Sequence, residues 1–353
     1  NHQLGVALQA QGRFEDIGGQ AVYMNRGNRL NWGGQVGRIP FRTGFTRSGT
    51  TEVEGEDVPF TDFVISRTIL YRASTVTEYP FSRTRRLEFN GGVSHLAFDR
   101  DITRFYFSPN GALLGRESVS PGSVGLGAPD GLTLYNAMAA YVGDYSYFGF
   151  TSPVDGGRHR FEVEGNFGDL SFFNVLGDYR RYLFFNPVTL AFRAMHYGRY
   201  GSDSENQRLT PIFLGHETMV RGYAVNSFGG NECAGVTAGR SCPQFDRLIG
   251  SKIALGSLEL RIPLFGTDRF GLVPLELLPT ELSFFVDGGV AWTKAEDPEL
   301  KLTTDDAGRI PVFSTGVSAR LNVLGRLVLE FYVARAFQRE DQNQFGFQIA
   351  PGW

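Results

Sequence analysis

The chain closes on Phe345-Gly346-Phe347-Gln348-Ile349-Ala350-Pro351-Gly352-Trp353, with bulky apolar residues at every second position and small or polar ones between them. A repeat of two is the signature of a strand with one greasy face. Such a strand, left at an uncovered edge, is an aggregation hazard in water, because its unpaired backbone templates other chains. Lipid is the other solvent that can cover the face, so this stretch sets the expectation of a strand in a membrane barrel.

Composition agrees with that expectation. The 353 residues include 45 Gly and 31 Phe, and aromatics make up 14% of the chain. Mean hydropathy is nevertheless −0.17, and no run approaches the ~18 apolar residues of a membrane-spanning helix. Strands that face lipid on one side and a polar lumen on the other average out to this profile. A soluble β-rich protein could share the same averages, so the pattern along the chain has to decide.

Alternating segments fall at 3–11, 19–25, 29–38, 63–79, 83–98, 132–150, 159–167, 170–185, 188–198, 250–264, 282–292, 313–323, 326–337 and 345–353. In 159–167, Phe161, Val163 and Phe167 share one face and Arg160, Glu162, Glu164 and Asn166 the other. Charges in mid-strand need water or each other, whereas the opposite face needs lipid or a core. The reading is an all-β fold: a transmembrane antiparallel β-barrel of 14 strands spanning 1–353 as one domain. Counted back from a periplasmic C-terminus, long outer loops (199–249, 99–131, 39–62, 293–312) alternate with tight inner turns such as Leu324-Gly325 and Asn186-Pro187. Ile102 to Phe107 belongs to an outer hairpin on this count, and the long apolar inner segment 265–281 is expected to lie on the membrane surface.

Other classes find little support. A net charge of −3 points to no nucleic-acid partner. Lysine occurs only at 252, 294 and 301; the excess of Arg suits paired positions in a lumen, or reflects genome composition. Cys233 and Cys242 sit close together in a polar, Gly-rich loop, which reads as a disulfide in an oxidising compartment. A metal site would need further Cys or His nearby, so neither metal nor cofactor is expected. There is no G-x-S-x-G, Walker loop or H-E-x-x-H, and His216 with Ser202, Asp203 and Ser204 reads as ordinary polar loop. No enzymatic activity is expected.

Two motifs carry a family resemblance. Val220-Arg221-Gly222-Tyr223, in the longest loop, resembles the [V/I/L]-R-G-[F/Y] signature of the sixth outer loop of the BamA/TamA superfamily, the bacterial surface antigen family. Phe285-Val-Asp287-Gly-Gly289 resembles the F-x-D-x-G of that family's thirteenth strand. The resemblance implies that the loop folds into the lumen and that Arg221 pairs with Asp287. Alternation independently turns Asp287 and Glu259 inward, where a carboxylate is costly unless paired. Phe345, Phe347, Ile349 and Trp353 resemble the C-terminal assembly signal of outer-membrane barrels.

The implied function is insertion of outer-membrane proteins or translocation of a polypeptide, by a lateral seam between the first strand and 345–353. The implied setting is the bacterial outer membrane, with its lipid, its lipopolysaccharide and periplasmic or outer-membrane protein partners. Family barrels have sixteen strands and carry periplasmic POTRA modules. Neither is matched here, so the chain is expected to be the C-terminal barrel of a longer polypeptide. The alternative readings are a non-catalytic anchor or scaffold for another domain or partner complex, and a passive pore.

Overall fold

A computed structural model of the chain describes residues 1–9, 16–53, 55–228, 232, 243–267, 271–275, 278–301 and 308–349. In chain order the strands begin with β1 (His2–Gln9), β2 (Gly18–Asn25), β3 (Asn31–Val53), β4 (Glu56–Pro80), β5 (Arg85–Phe107), β6 (Leu113–Val119) and β7 (Leu132–Asp144). Next come β8 (Tyr147–Phe148), β9 (Pro153–Gly168), β10 (Phe172–Phe185), β11 (Val188–Tyr200), β12 (Ile212–Phe213) and β13 (Ile249–Gly250). The series ends with β14 (Lys252–Gly266), β15 (Val273–Pro274), β16 (Thr280–Trp292), β17 (Val312–Val323), β18 (Leu327–Ala336) and β19 (Asn343–Ile349). The one α-helix among the described residues, α1 (Pro243–Asp246), is a single turn. The fold is all-β, and each of the fourteen segments expected from alternation overlaps one of these strands.

The chain divides into two compact units. The first comprises 1–79, 88–138 and 165–171, the second 80–87, 139–164 and 172–353. In the first, β1 to β4 form an antiparallel meander, and Ile102–Phe107 of β5 folds back on β6. The expected outer loop 39–62 is instead mostly strand. The β3–β4 hairpin is paired all the way from Asn31↔Glu78 to Val53↔Glu56. A strand crosses a bilayer in about 9–11 residues, so 23- and 25-residue strands reach well beyond one. Polar side chains on both faces of Thr43–Thr51 suggest a loop in the sequence, although they suit a hairpin standing in water. Several of its charges are paired: Asp62 binds Arg47 and Arg104, and Arg67 binds Asp16, Asp99 and Asp101.

In the second unit, β10, β11, β14, β16, β17, β18 and β19 form a continuous antiparallel sheet, each strand paired with the next. Its burial pattern inverts that of a soluble protein. Leu258, Leu260, Phe284, Val286, Val317, Phe331, Val333, Phe345 and Phe347 are exposed, whereas Glu259, Arg261, Glu281, Asp287, Arg320 and Glu330 are buried. In water, each uncovered Leu or Phe forfeits about 1.5–3 kcal/mol of burial free energy. Lipid supplies that cover, and protein covers the charged face. In the connection before β16, Leu272, Val273, Leu275 and Leu278 are exposed as well.

Two glycines make room for aromatic rings on the charged face, where the rings of Phe285 and Tyr332 meet edge to face with centroids 6.3 Å apart. Phe285 faces Gly316 across the β16–β17 pair, and Tyr332 faces Gly346 across β18–β19. A Cβ on Gly346 would fall 2.1 Å from Tyr332 Cζ, so the ring would have to leave its slot. Gly346→Ala is expected to destabilise the sheet by about 1–3 kcal/mol through overpacking. Gly256→Ala, where a Cβ meets nothing closer than 3.8 Å, should be near neutral. The readout is the temperature at which the fast-migrating folded form disappears on a semi-native gel; equal temperatures for the two variants would refute the slot.

A loop arginine bonded to three strands

The connection from β11 to β14 returns over the charged face of the second unit. Its ends are held by the short β12–β13 pair and by Leu214 N–H donating to the Leu248 carbonyl at 2.8 Å. A turn follows, in which the Met219 and Val220 amides donate to the His216 carbonyl. Val220 is buried among Leu214, Leu248, Ile253, Ala291, Val312 and Ala336. That apolar plug fixes the next residue in place.

Arg221 is 2% exposed. Its Nε and Nη2 form a fork on Asp287 at 2.8 and 2.9 Å, and its backbone N–H donates to Asp287 Oδ2 at 3.2 Å. Nη1 lies 2.7 Å from Glu259 Oε1 and 3.2 Å from Glu330 Oε1. The guanidinium also stacks on Phe285, 3.5 Å from the ring centroid. One side chain thereby joins the loop to β14, β16 and β18. Burial works against its charge, but Asp287 and Glu259 outweigh that and hold its ionisation above the ordinary guanidinium range.

The carboxylates have further partners. Arg320 on β17 donates to both oxygens of Glu259 at 2.9 and 3.0 Å, to Glu281 at 3.1 Å and to Glu330 at 3.2 Å. Arg261 donates to Glu259 at 2.8 Å, Ser152 to Glu281, and Gln348 on β19 to Glu330 at 2.8 Å. Three guanidinium groups (221, 261, 320) thus face four carboxylates (259, 281, 287, 330). Bidentate, charge-assisted geometry of this kind is what a desolvated charge requires.

Gly222 and Tyr223 complete the attachment. Gly222 has φ +88, and a Cβ there would sit 3.3 Å from Ala334 and 3.4 Å from Ala336, so the position favours glycine on both counts. The Tyr223 hydroxyl lies 3.0 Å from both the Phe313 carbonyl and Gln338 Oε1, and accepts from Gln338 N–H at 3.1 Å. Burial pushes this phenol up to about 12. Arg339 donates to the Gly222 carbonyl at 2.7 Å and binds Glu232, while Arg193 on β11 donates to the Thr218 carbonyl at 2.8 Å.

The structure therefore gathers Val220, Arg221, Gly222, Tyr223, Asp287, Glu259 and Phe285 in one place. Gly289 lies nearby, where a Cβ would meet Leu214 at 3.0 Å. Phe345, Phe347 and Ile349 are exposed on β19. Cys233, Cys242 and Trp353 lie outside the described residues, so the disulfide finds no support. His216 packs edge-on against Phe213, and Ser204 Oγ donates to Gly201. Sequence reasoning overlooked Glu281, Glu330 and Arg339 and gave Arg320 no partner. Strand parity would have turned Glu281 and Glu330 inward with Asp287.

Taken together, these features define an outer-membrane-type β-barrel protein with a loop arginine bound to its inner wall. The sequence profile described as the Omp85 superfamily domain matches residues 150–352, and the chain belongs to the Omp85 superfamily. This bears out the resemblance of the two motifs. BamA from Haemophilus ducreyi lacking POTRA domains 1–3 has the same fold, with a TM-score of 0.55 at 13% identity over 99% of this chain and 69% of that one. CdiB from Acinetobacter baumannii superposes with a TM-score of 0.41 at 12% identity, over 99% of this chain and 58% of that one. No curated protein matches significantly.

Arg221→Met should strand Asp287 and Glu259 and destabilise the fold by roughly 3–5 kcal/mol. Arg221→Met with Asp287→Leu should recover part of that loss. Urea-dependent unfolding in lipid reads both; full stability of the single variant would contradict the bonding described.

A second expectation concerns pH. Glu217, 3.5 Å from the Tyr332 hydroxyl, has its pKa raised by burial and by Glu330. A raised carboxyl pKa means that the folded state prefers the protonated form. The associated stability is present below the ordinary carboxylate pKa and is lost as pH rises through the raised value. Glu217→Gln should therefore unfold later than the wild type at pH 7, with the difference gone below about pH 4. Unfolding midpoints at the two pH values test this, and a larger gap at low pH would reverse the sign.

Proposed function

We propose that this chain is the membrane-embedded barrel of an Omp85-type protein of the bacterial outer membrane, which inserts outer-membrane proteins or translocates a polypeptide. Membership of the superfamily supports the general class. The observation that carries the reading further is the Arg221 loop, bonded to β14, β16 and β18 by a network that costs much to desolvate. A passive pore has no use for a loop held on its polar wall. The exposed strand β19, with Phe345, Phe347 and Ile349 toward lipid, is read as the assembly signal and as a template edge. Were the pairing of this strand to open as a lateral seam, its freed edge groups could receive an incoming strand, a state tolerable in lipid only transiently. The surroundings in this reading are outer-membrane lipid, lipopolysaccharide and periplasmic or outer-membrane partner proteins, with no catalytic residue.

The test uses the full polypeptide in its own host under controlled depletion. Depletion should lower the content of other β-barrels, or of one secreted polypeptide, in quantitative proteomics of the outer membrane and medium. Arg221→Lys keeps the charge but loses the fork. It should fold and reach the membrane, yet restore that content at a rate severalfold below wild type. Unchanged outer-membrane and secreted proteins on depletion would leave the anchor reading in place of this one.

A further inference from the structure

Away from the Arg221 network, the loops that follow β11 and β16 border a second site, an open cleft whose floor includes Leu209, Pro211 and Ile249 and whose polar groups are few and convergent. A cavity of about 660 Å³ is lined by Arg199, Asn206, Gln207, Asp246, Arg309 and Glu205, with Ser204, Ser251 and Thr293 contributing hydroxyl groups. Pockets of 300–1,000 Å³ are the usual size for small-molecule sites.

Its walls are built rather than accidental. The 201–211 segment is folded by Ser204 Oγ on the Gly201 carbonyl, Asn206 N–H on Asp203 and Leu209 N–H on Asn206. Ser251 Oγ donates to Glu205 at 2.6 Å, and the Lys294 amide donates to the same carboxylate oxygen. Arg309 donates to Glu296 at 2.6 Å and through Nη1 to the Asp246 and Ile249 carbonyls at 2.7 and 2.8 Å. These bonds join three chain segments around one concavity.

Arg199 is the exception to this mutual satisfaction. It is 7% exposed, and its hydrogen bond among the described residues runs from Nη2 to the Thr210 carbonyl. Nε and Nη1 have no partner there, and neither does Arg309 Nη2. Every other deeply buried guanidinium of the β14–β18 network has carboxylate partners. A buried guanidinium with open N–H donors in a cavity wall calls for an anionic oxygen from outside.

The rest of the lining narrows the ligand. Glu205 and Asp246 would repel a polyanion or a strongly acidic peptide. They, with Asn206 and Gln207, accept and donate well to vicinal hydroxyl groups. We propose that this cavity binds a small acidic saccharide, whose carboxylate or phosphate docks on Arg199 and whose hydroxyls meet Glu205, Asn206, Gln207 and Asp246. The volume suits one or two sugar rings. The binding is independent of whether the barrel inserts, translocates or anchors.

The anionic sugar has two sources, a free saccharide or the phosphorylated headgroup of a glycolipid. Calorimetric titration of the purified full chain in detergent with glucuronate and with glucose 6-phosphate, against neutral glucose, reads the first. Nanodiscs carrying a phosphorylated glycolipid, against nanodiscs of phosphatidylglycerol, read the second. Saturable binding of at least one anionic sugar is expected, with glucose and phosphatidylglycerol silent. Arg199→Gln should weaken it about tenfold or more, from loss of a charged hydrogen bond. Gln207→Ala, on an exposed turn, should weaken it severalfold while leaving the folded gel form unchanged. Absence of saturable binding in both arms overturns the proposal. So does binding that glucose matches, or that survives both substitutions.

Discussion

The second unit is organised around a buried guanidinium and the carboxylates that surround it. A lone charge on this face would be expelled or neutralised, and a lone carboxylate equally so. Arg221 and Asp287 are tolerable together because their attraction and hydrogen bonds offset the desolvation of both, and Glu259, Glu330, Arg320 and Arg261 extend the same logic. The cost of breaking one member is high even where the net stabilisation of the whole is modest. Such a network specifies position more than it adds stability. It sets where the loop lies, and through Gly222 and Tyr223 it sets the loop's backbone path.

This constraint explains the division of faces in the second unit. Strand parity places every odd partner of Asp287 toward lipid and every even one toward the network, so β16 reads Leu282, Phe284, Val286 outward and Glu281, Ser283, Phe285, Asp287 inward. A slip of one residue would exchange the two sets and place carboxylates in hydrocarbon. Register is therefore fixed twice, by lipid on one side and by ion pairs on the other. The aromatic–glycine pairs Phe285–Gly316 and Tyr332–Gly346 remove residual freedom by seating flat rings where a side chain would collide.

Much of this was legible from residue order, for definite physical reasons. Alternation reports which face a side chain takes, and it located fourteen strand-bearing segments and turned Asp287 and Glu259 inward. It failed where both faces are polar, as in Thr43–Thr51, because a hairpin in water has no greasy side to betray it. Partner choice was also beyond it. Glu281 shares the parity of Asp287, and Glu330 alternates with Leu329 and Phe331 on its own strand, but which arginine reaches which carboxylate depends on strand order and loop path, neither of which a local pattern records. The Val220–Tyr223 motif located the loop residue, and geometry supplied Arg320 and Arg339 as the other arms of the grip.

The claim that the loop is a fixed part of the wall is tested most directly by amide hydrogen exchange of the full chain in lipid, followed by mass spectrometry of peptides spanning 214–224. The Arg221 amide donates to Asp287 and the Val220 amide to His216, so these peptides should exchange as slowly as those of β16. Exchange at the rate of an open surface loop such as 127–131 would contradict it.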